Sequence, residues 1–495
     1  MDFFPATMNI NKDIYQAPLS LLTDLYQLTM AQGYWKKGIA NREAVFNLFF
    51  RHPVFKGGYA ISCGLHYVID WLESFSFHPS DLDYLATLRN PDGTGLFDRE
   101  FLFHLSNLKF ECDVDAVPEG RLVFPQEPLL RVKGPIWQAQ LIETFLLNAI
   151  NFQTLIATKA ARICFAAKGD AVLEFGLRRA QGIDGGLSAS RASYVGGCSA
   201  TSNVLAGKLF GIPVRGTHAH SWVMTFASEV EAFEAYADSM PGNAVFLVDT
   251  YNTLKGVENA ILVGRKLREK GYELAGIRLD SGDLAYLSIE ARRILDEAGF
   301  QETSIAASND LDEYLIKSLK EQGAQINIWG VGTNLVSASD QPALGGVYKL
   351  TALKNEKDEW EYKIKLSEQA GKINVPGILQ VRRFRDSKGF LGDMVYDEQL
   401  GYDLPTTMID PADFTKRKLI QADWQSEELL VPIFRKGQCV YAKPSLDATR
   451  RRAKEELAML HPTIKRFENP HNYPVGLEEK LFQLRADRVL KMKNL

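Results

Sequence analysis

Cysteine is scarce in this chain: five in 495 residues, at Cys63, Cys112, Cys164, Cys198 and Cys439. None stands in a CxxC pair or at a metal-ligand spacing, which excludes a disulfide scaffold and a zinc ribbon and reads as reduced thiols in a cytoplasmic protein. Charge of one sign is also lacking. The 57 basic and 61 acidic residues leave a net charge of −4, without the basic excess expected of a nucleic-acid binder. Long apolar runs are missing as well. The most apolar stretch, Ile136 to Thr158, is broken by Gln138, Gln140, Glu143, Asn148, Asn151 and Gln153. That is too polar for a bilayer and reads as a buried helix. Met1 to Gln16 carries acids and asparagines and no apolar segment, so no signal peptide is read there. No repeat or low-complexity tract stands out.

What remains is an ordinary globular composition, 46% apolar and 24% charged. The length suggests about three domains at ~150 residues each. The first third mixes helix-spaced Leu21 to Tyr34, strand-like Ala44 to Arg51, a helix over Leu65 to Phe75 and short strands between Glu111 and Arg131, without a βα rhythm. From about Asn151 a rhythm sets in. Apolar strands at Ala171–Phe175, Ile212–Gly216, Ala244–Asp249, Leu274–Leu279, Ser304–Ser308 and Ile326–Val331 alternate with helices, one of them read over Ser190 to Leu209. A possible seventh strand lies at Gly346–Leu350. Short continuous apolar runs separated by helices mark parallel strands buried on both faces. The expected fold is α/β: an irregular TIM-like barrel over 151–350, a mixed α+β domain over 1–150, and a C-terminal region over 351–495, β-rich then helical, packed back on the N-terminal domain.

Polar residues gather just past the strand ends, and parallel strands would bring them to one rim. Arg278-Leu279-Asp280-Ser281-Gly282-Asp283 offers a cation, two carboxylates, a hydroxyl and a glycine at a strand-to-helix turn. Asp280 or Ser281 caps the following helix, holds a ligand, or does both. Gly330-Val331-Gly332-Thr333-Asn334 is a plain turn or a phosphate cradle, and it lacks the GxGxxG dinucleotide spacing. Thr217-His218-Ala219-His220-Ser221 holds two of only eight histidines. They serve as structural hydrogen-bonding groups or supply a nucleophile, and residue types alone do not choose between them. Arg178 and Arg179 follow Glu174 and Phe175; burying both would require an anionic ligand or a carboxylate such as Glu174 beside them. A Schiff-base aldolase needs a strand-end lysine, and the rim segments hold none. A non-catalytic scaffold would tolerate loss of rim polarity, which is present in every segment.

These segments, in this order, resemble the nicotinate phosphoribosyltransferase family. The likeness is carried by LLTDLYQLTM (Leu21–Met30), EFGLRRAQGIDGG (Glu174–Gly186), GGCSATSNVLAG (Gly196–Gly207), GTHAHS (Gly216–Ser221), LVDTY (Leu247–Tyr251), RLDSGDL (Arg278–Leu284), Ser308-Asn309-Asp310 and GVGTN (Gly330–Asn334). The resemblance implies a type II phosphoribosyltransferase fold, acting as a homodimer with a shared active site on small molecules. It further implies transfer of phosphoribose from phosphoribosyl pyrophosphate to nicotinate, coupled to ATP as co-substrate and using Mg²⁺. His220 would be the phosphorylated histidine and Asp280 a second catalytic group. Tyr26 from the partner subunit, Phe175, Thr217 and Arg278 would border nicotinate. Arg178, Ser281, Gly282, Asn309, Gly330, Gly332 and Thr333 would hold phosphate or pyrophosphate. His218 receives no role, and the metal ligands are unassigned. A sister enzyme using nicotinamide or quinolinate is the alternative of the same class.

Overall fold

The computed structural model describes residues 19–368 and 372–493, so the reading of Met1 to Gln16 lies outside the described residues. Six strands form one all-parallel sheet: β1 (Ala171–Glu174), β2 (Ala200–Thr201), β3 (Val245–Leu247), β4 (Gly276–Leu279), β5 (Ser304–Ala307) and β6 (Ile328–Val331). Their order across the sheet is β2-β1-β6-β5-β4-β3. Every pairing is parallel, so all six C-terminal ends share one rim. Helices Thr253–Glu269, Leu284–Glu297 and Glu313–Glu321 return the chain between successive strands. Their apolar faces, for example Leu284, Ala291 and Leu295, are buried.

The sheet curls into a half-barrel that hydrogen-bond ladders do not close. Beyond β2 it continues through a single parallel bridge from Thr201 to Val214, so the expected strand over Ile212–Gly216 is reduced to one pairing. Two further expectations are corrected. The helix read over Ser190–Leu209 is two helices, Gly182–Val195 and Val204–Phe210, with β2 between them. Gly196 and Gly197 end the first, as a glycine pair should. The possible seventh barrel strand belongs elsewhere: Gly346–Lys354 pairs antiparallel with Glu43–Phe50.

That second sheet has seven strands drawn from both chain ends. Glu43–Phe50, Leu130–Pro135 and Asp113–Ala116 lie between Gly346–Lys354 on one side and Val431–Arg435 on the other. A third sheet of six strands is C-terminal, with the hairpin Leu379–Asp386 and Gly389–Asp397 near its centre. The helix Glu143–Ala166 runs between the N-terminal sheet and the half-barrel, and one apolar core joins all three. On that helix Lys159 is fully buried yet paired with Glu313 at 2.7 Å and Asp340 at 2.6 Å, the condition under which a buried charge is tolerated. Among the described residues no helix is long and apolar enough to cross a membrane. All five cysteines are free.

Candidate active site

Strand alternation sets the first element of the site. Ile277 and Leu279 of β4 are fully buried among the helices, which turns Arg278 to the opposite face. Its Nη1 donates to Thr217 Oγ1 at 2.7 Å, and its Nη2 lies 3.6 Å from Asp280 Oδ1. Its Nε is buried and has no partner. Burial lowers the Arg278 pKa from its ordinary value; Asp280 and Asp249 oppose the shift, and Arg178 adds to it. The guanidinium remains charged at any physiological pH. It is thus a desolvated cation with one hydrogen-bonding group unspent.

Beside it lies His220, the first residue of the short helix His220–Met224. Its Nδ1 is 3.1 Å from Thr250 Oγ1, and its Nε2 faces two carboxylates, Asp249 at 4.0 Å and Asp280 at 3.8 Å. Asp249 is buried. Its Oδ2 accepts from the Asp280 main-chain N–H at 2.9 Å and from Ser281 Oγ at 2.6 Å, while its Oδ1 has no partner. Ser308 Oγ in turn donates to Asp280 Oδ1. The ends of β3, β4 and β5 are therefore laced together by two carboxylates around the histidine.

The choice between the two histidines is resolved by their surroundings. His218 is buried among Phe233, Tyr236 and Phe246, and its Nε2 accepts the Leu247 N–H at 3.2 Å. Burial pulls its pKa down to about 4, so it stays neutral and structural. The His220 side chain is 41% exposed and is the one available to a reactant. The capping alternative for Asp280 and Ser281 also falls. Asp283 caps the helix Leu284–Glu297 by accepting from Tyr286 N, which leaves Asp280 and Ser281 to the rim.

The glycine turn after β6 is shaped by close approach. A Cβ on Gly330 would stand 2.7 Å from the Phe175 ring, and one on Gly332 would stand 3.4 Å from the Phe175 carbonyl oxygen. Thr333 follows at the start of the helix Thr333–Val336. Across the turn Asn334 Nδ2 donates to Asp310 O at 2.7 Å. Asn309 takes φ +100° and Asp310 φ +39°, in the left-handed region that non-glycine residues rarely occupy. Gly282 takes φ +80° between Ser281 and the capping Asp283.

The expectation of a carboxylate beside Arg178 and Arg179 is revised. Arg178 and Arg179 are exposed, so neither needs a buried counter-charge. Glu174 is not their partner: it is fully buried and accepts from Ser190 Oγ at 2.8 Å, Thr201 Oγ1 at 2.6 Å and the Gly176 N–H. Tyr26 lies on the helix Leu25–Lys36, 48% exposed, with Glu143 and Asp24 as its charged neighbours rather than the rim residues. The sequence places Asp249, Thr250 and Ser308 at strand ends on the rim but assigns them no role. Their signal was position alone, since each sits at the end of a parallel strand.

Among the described residues no group of three or more His, Cys, Asp and Glu side chains is placed to hold a metal ion. Mg²⁺ needs only one or two carboxylates when phosphates complete its shell. Asp280, open to the rim, and Asp249, with an unpartnered Oδ1, fit that requirement.

Comparison with known proteins agrees with this arrangement. Residues 21–151 match the model of the nicotinate phosphoribosyltransferase N-terminal domain, 171–372 the nicotinate phosphoribosyltransferase family, and 380–485 its C-terminal domain. The chain is 44% identical over 481 residues to nicotinate phosphoribosyltransferase of Bacillus subtilis, covering 96% of each. It is 38% identical to the Mus musculus enzyme of that name, covering 93% of this chain and 95% of the other. The crystal structure of human nicotinic acid phosphoribosyltransferase superposes with a TM-score of 0.82 at 34% identity, covering 94% of this chain and 99% of that one. The nicotinate-nucleotide pyrophosphorylase structure from Pyrococcus furiosus shares the fold, with a TM-score of 0.69 at 21% identity. With half-barrel, rim and sequence in accord over nearly its whole length, the chain belongs to the nicotinate phosphoribosyltransferase family.

Proposed function

We propose that this chain joins nicotinate to 5-phosphoribosyl 1-pyrophosphate, giving nicotinate mononucleotide and pyrophosphate, the step by which nicotinate enters NAD synthesis. The observation that carries the reading is Arg278: desolvated, anchored by Thr217, and with a buried Nε lacking a partner. A pyridine carboxylate would take up the hydrogen-bonding capacity that Asp280, 3.6 Å away, leaves free, through charge-assisted bonds of about 1.5–3 kcal/mol. Nicotinamide, being neutral, would not. Phe175 and, from a second copy of the chain, Tyr26 would border the ring. An exposed Tyr26 away from its own rim suits a homodimer that shares its sites.

The pyridine nitrogen then attacks the ribose anomeric carbon. A C–N bond forms, and the bond from that carbon to the pyrophosphate oxygen breaks. Main-chain N–H groups at Gly330, Gly332 and Thr333 would hold the 5-phosphate. Arg178, Ser281, Gly282 and Asn309 would line the pyrophosphate. Asp249 and Asp280 would hold Mg²⁺, which when bound neutralises the leaving pyrophosphate. ATP coupling enters through His220. In the tautomer that donates Nδ1–H to Thr250 Oγ1, 3.1 Å away, the Nε2 lone pair is free to take the γ-phosphoryl group, forming an N–P bond as the bond to ADP breaks. The phosphate adds up to about two negative charges beside Arg278 and the carboxylates, which couples ATP use to the occupancy of the site. The five free thiols suit the cytoplasm.

The test is product analysis with nicotinate, nicotinamide and quinolinate side by side, each with phosphoribosyl pyrophosphate, Mg²⁺ and ATP. Nicotinate mononucleotide should form at a rate that ATP raises. Equal use of nicotinamide would defeat the assignment of Arg278.

A further inference from the structure

Away from the rim, a cavity of about 830 Å³ opens between residues 124–126 of the N-terminal region, residues 408–418, residues 469–475 and the helix Glu479–Met492. Arg485 of that helix lines it. Arg485 is half-buried, and the fully buried arginines of this chain all have carboxylate partners close by. Arg191 lies 2.6 Å from Glu119, Arg383 2.6 Å from Asp393, Arg162 2.7 Å from Glu313, and Arg131 2.9 Å from Asp115. Arg485 has none within 4 Å among the described residues. Its guanidinium reaches only main-chain oxygens, Ile373 O at 3.2 Å and Pro411 O at 3.4 Å, and its Nε is buried without a partner. The one acid of the cavity wall, Asp410, accepts from the main-chain N–H groups of Ala412 and Asp413 in its own turn.

The parallel with Arg278 is close. These are the two arginines whose pKa burial lowers, whereas carboxylates raise that of Arg121, Arg131, Arg191 and Arg383. A guanidinium cannot relieve its desolvation by losing a proton, so one with no carboxylate beside it offers a place for an external anion. Exposed Arg417, with no carboxylate within 4 Å among the described residues, and exposed Lys416, 3.5 Å from Asp413, add positive charge at the mouth. Phe124 and Tyr473, stacked on each other 3.8 Å apart between centroids and almost fully buried, form an apolar wall with Pro470 and Pro474 beside them. Cations at one side and an apolar wall at the other suit a ring-bearing molecule with a phosphate group.

We infer that this cavity binds a phosphate monoester of nucleotide size, its phosphate on Arg485 with Lys416 and Arg417 and its ring against the Phe124–Tyr473 wall. The occupant would tie four separate parts of the chain together, so binding should raise the melting temperature.

The experiment titrates the full chain, without nicotinate, with adenosine monophosphate, inorganic phosphate and benzoate, by calorimetry and thermal unfolding. Wild type and Arg278→Ala should bind adenosine monophosphate alike. Arg485→Gln should lose about 10- to 100-fold in affinity, the range for a charge-assisted hydrogen bond. The surface pair Lys416→Gln and Arg417→Gln, which leaves the core untouched, should weaken binding several-fold even if Arg485→Gln fails to fold. Binding lost in Arg278→Ala but kept in the cavity variants would place the anion at the rim and overturn the inference. So would binding of benzoate in preference to both phosphates, or no saturable binding at all.

Discussion

His218 Nε2 accepts a hydrogen bond from the main-chain N–H of Leu247 at 3.2 Å. Leu247 ends β3, the outermost strand of the parallel sheet, whose free edge would otherwise display an unpaired N–H. At the far side the sheet reaches Val214 through one bridge. His218 lies four residues beyond Val214, so a side chain closes the ring where the backbone ladder does not. Replacing it with Phe keeps the aromatic packing and removes the acceptor. We expect a loss of about 1–3 kcal/mol in urea unfolding at pH 7.5.

The same histidine makes stability depend on pH. Its folded pKa, about 4, lies below the unfolded value of 6.5 because burial penalises the charged ring. Its contribution is complete above pH 6.5 and is lost as pH falls toward 4, since only the unfolded chain then binds the proton. The loss is at most about 3 kcal/mol at ~1.4 kcal/mol per pH unit. Unfolding curves across pH 7 to 4 should show it in wild type, and the His218→Phe variant should lack that component.

Arg278→Ala removes the cation proposed for the nicotinate carboxylate. The nicotinate KM should rise about 10- to 100-fold in steady-state assays, with a smaller rise for Arg278→Lys, which keeps the charge without the planar fork. Thr217→Val should fall between wild type and Arg278→Ala, because Thr217 acts by holding the guanidinium at 2.7 Å. A nicotinate KM unchanged in Arg278→Ala would remove this residue from the site.

The parallel strands were legible because a strand buried on both faces is a run of apolar residues, as in Phe246, Leu247 and Val248. Strand Ala200–Thr201 was not, because two residues carry no period and the flanking segments are helical. Gly346–Lys354 reads as a strand either way; only long-range pairing with Glu43–Phe50 decides its sheet. At the site, His220 and His218 are chemically alike in sequence. Burial, which no spacing rule reports, separates them. Asp249 and Thr250 look like ordinary loop residues until the adjoining strands bring Ser281 and His220 to them.

Wild type should take an acid-labile, base-stable label from γ-labelled ATP, and His220→Asn should abolish it. Thr250→Val tests the orientation of the ring. Without Thr250 Oγ1 at 3.1 Å from Nδ1, the imidazole loses the partner that presents Nε2 to the carboxylates. The labelling rate should drop about tenfold, equivalent to ~1.4 kcal/mol, and Thr250→Ser should restore it. Label that persists in His220→Asn would show that the phosphate is carried elsewhere.

Glu174 tests the scaffold separately from the chemistry. It is fully buried at the end of β1, and its two oxygens take three donors, from Ser190, Thr201 and the Gly176 main chain. These draw together the helix Gly182–Val195, strand β2 and the turn that carries Phe175. Glu174→Leu has similar size but leaves two buried donors, the Gly176 N–H and Thr201 Oγ1, without their acceptor, while Ser190 Oγ can turn to Gly186 O at 2.9 Å. At about 1–3 kcal/mol each, the loss is about 2–6 kcal/mol, a large share of the stability of many domains. Glu174→Gln keeps one oxygen acceptor and turns an N–H₂ toward the remaining donors, so it should cost less. The expected order in urea midpoint is wild type, then Gln, then Leu. For the Gln variant the nicotinate KM should change less than in Arg278→Ala, because Glu174 shapes the turn beneath Phe175 without touching the ligand. A Glu174→Leu variant as stable as wild type would mean that this hydrogen-bond cluster does not hold the rim together.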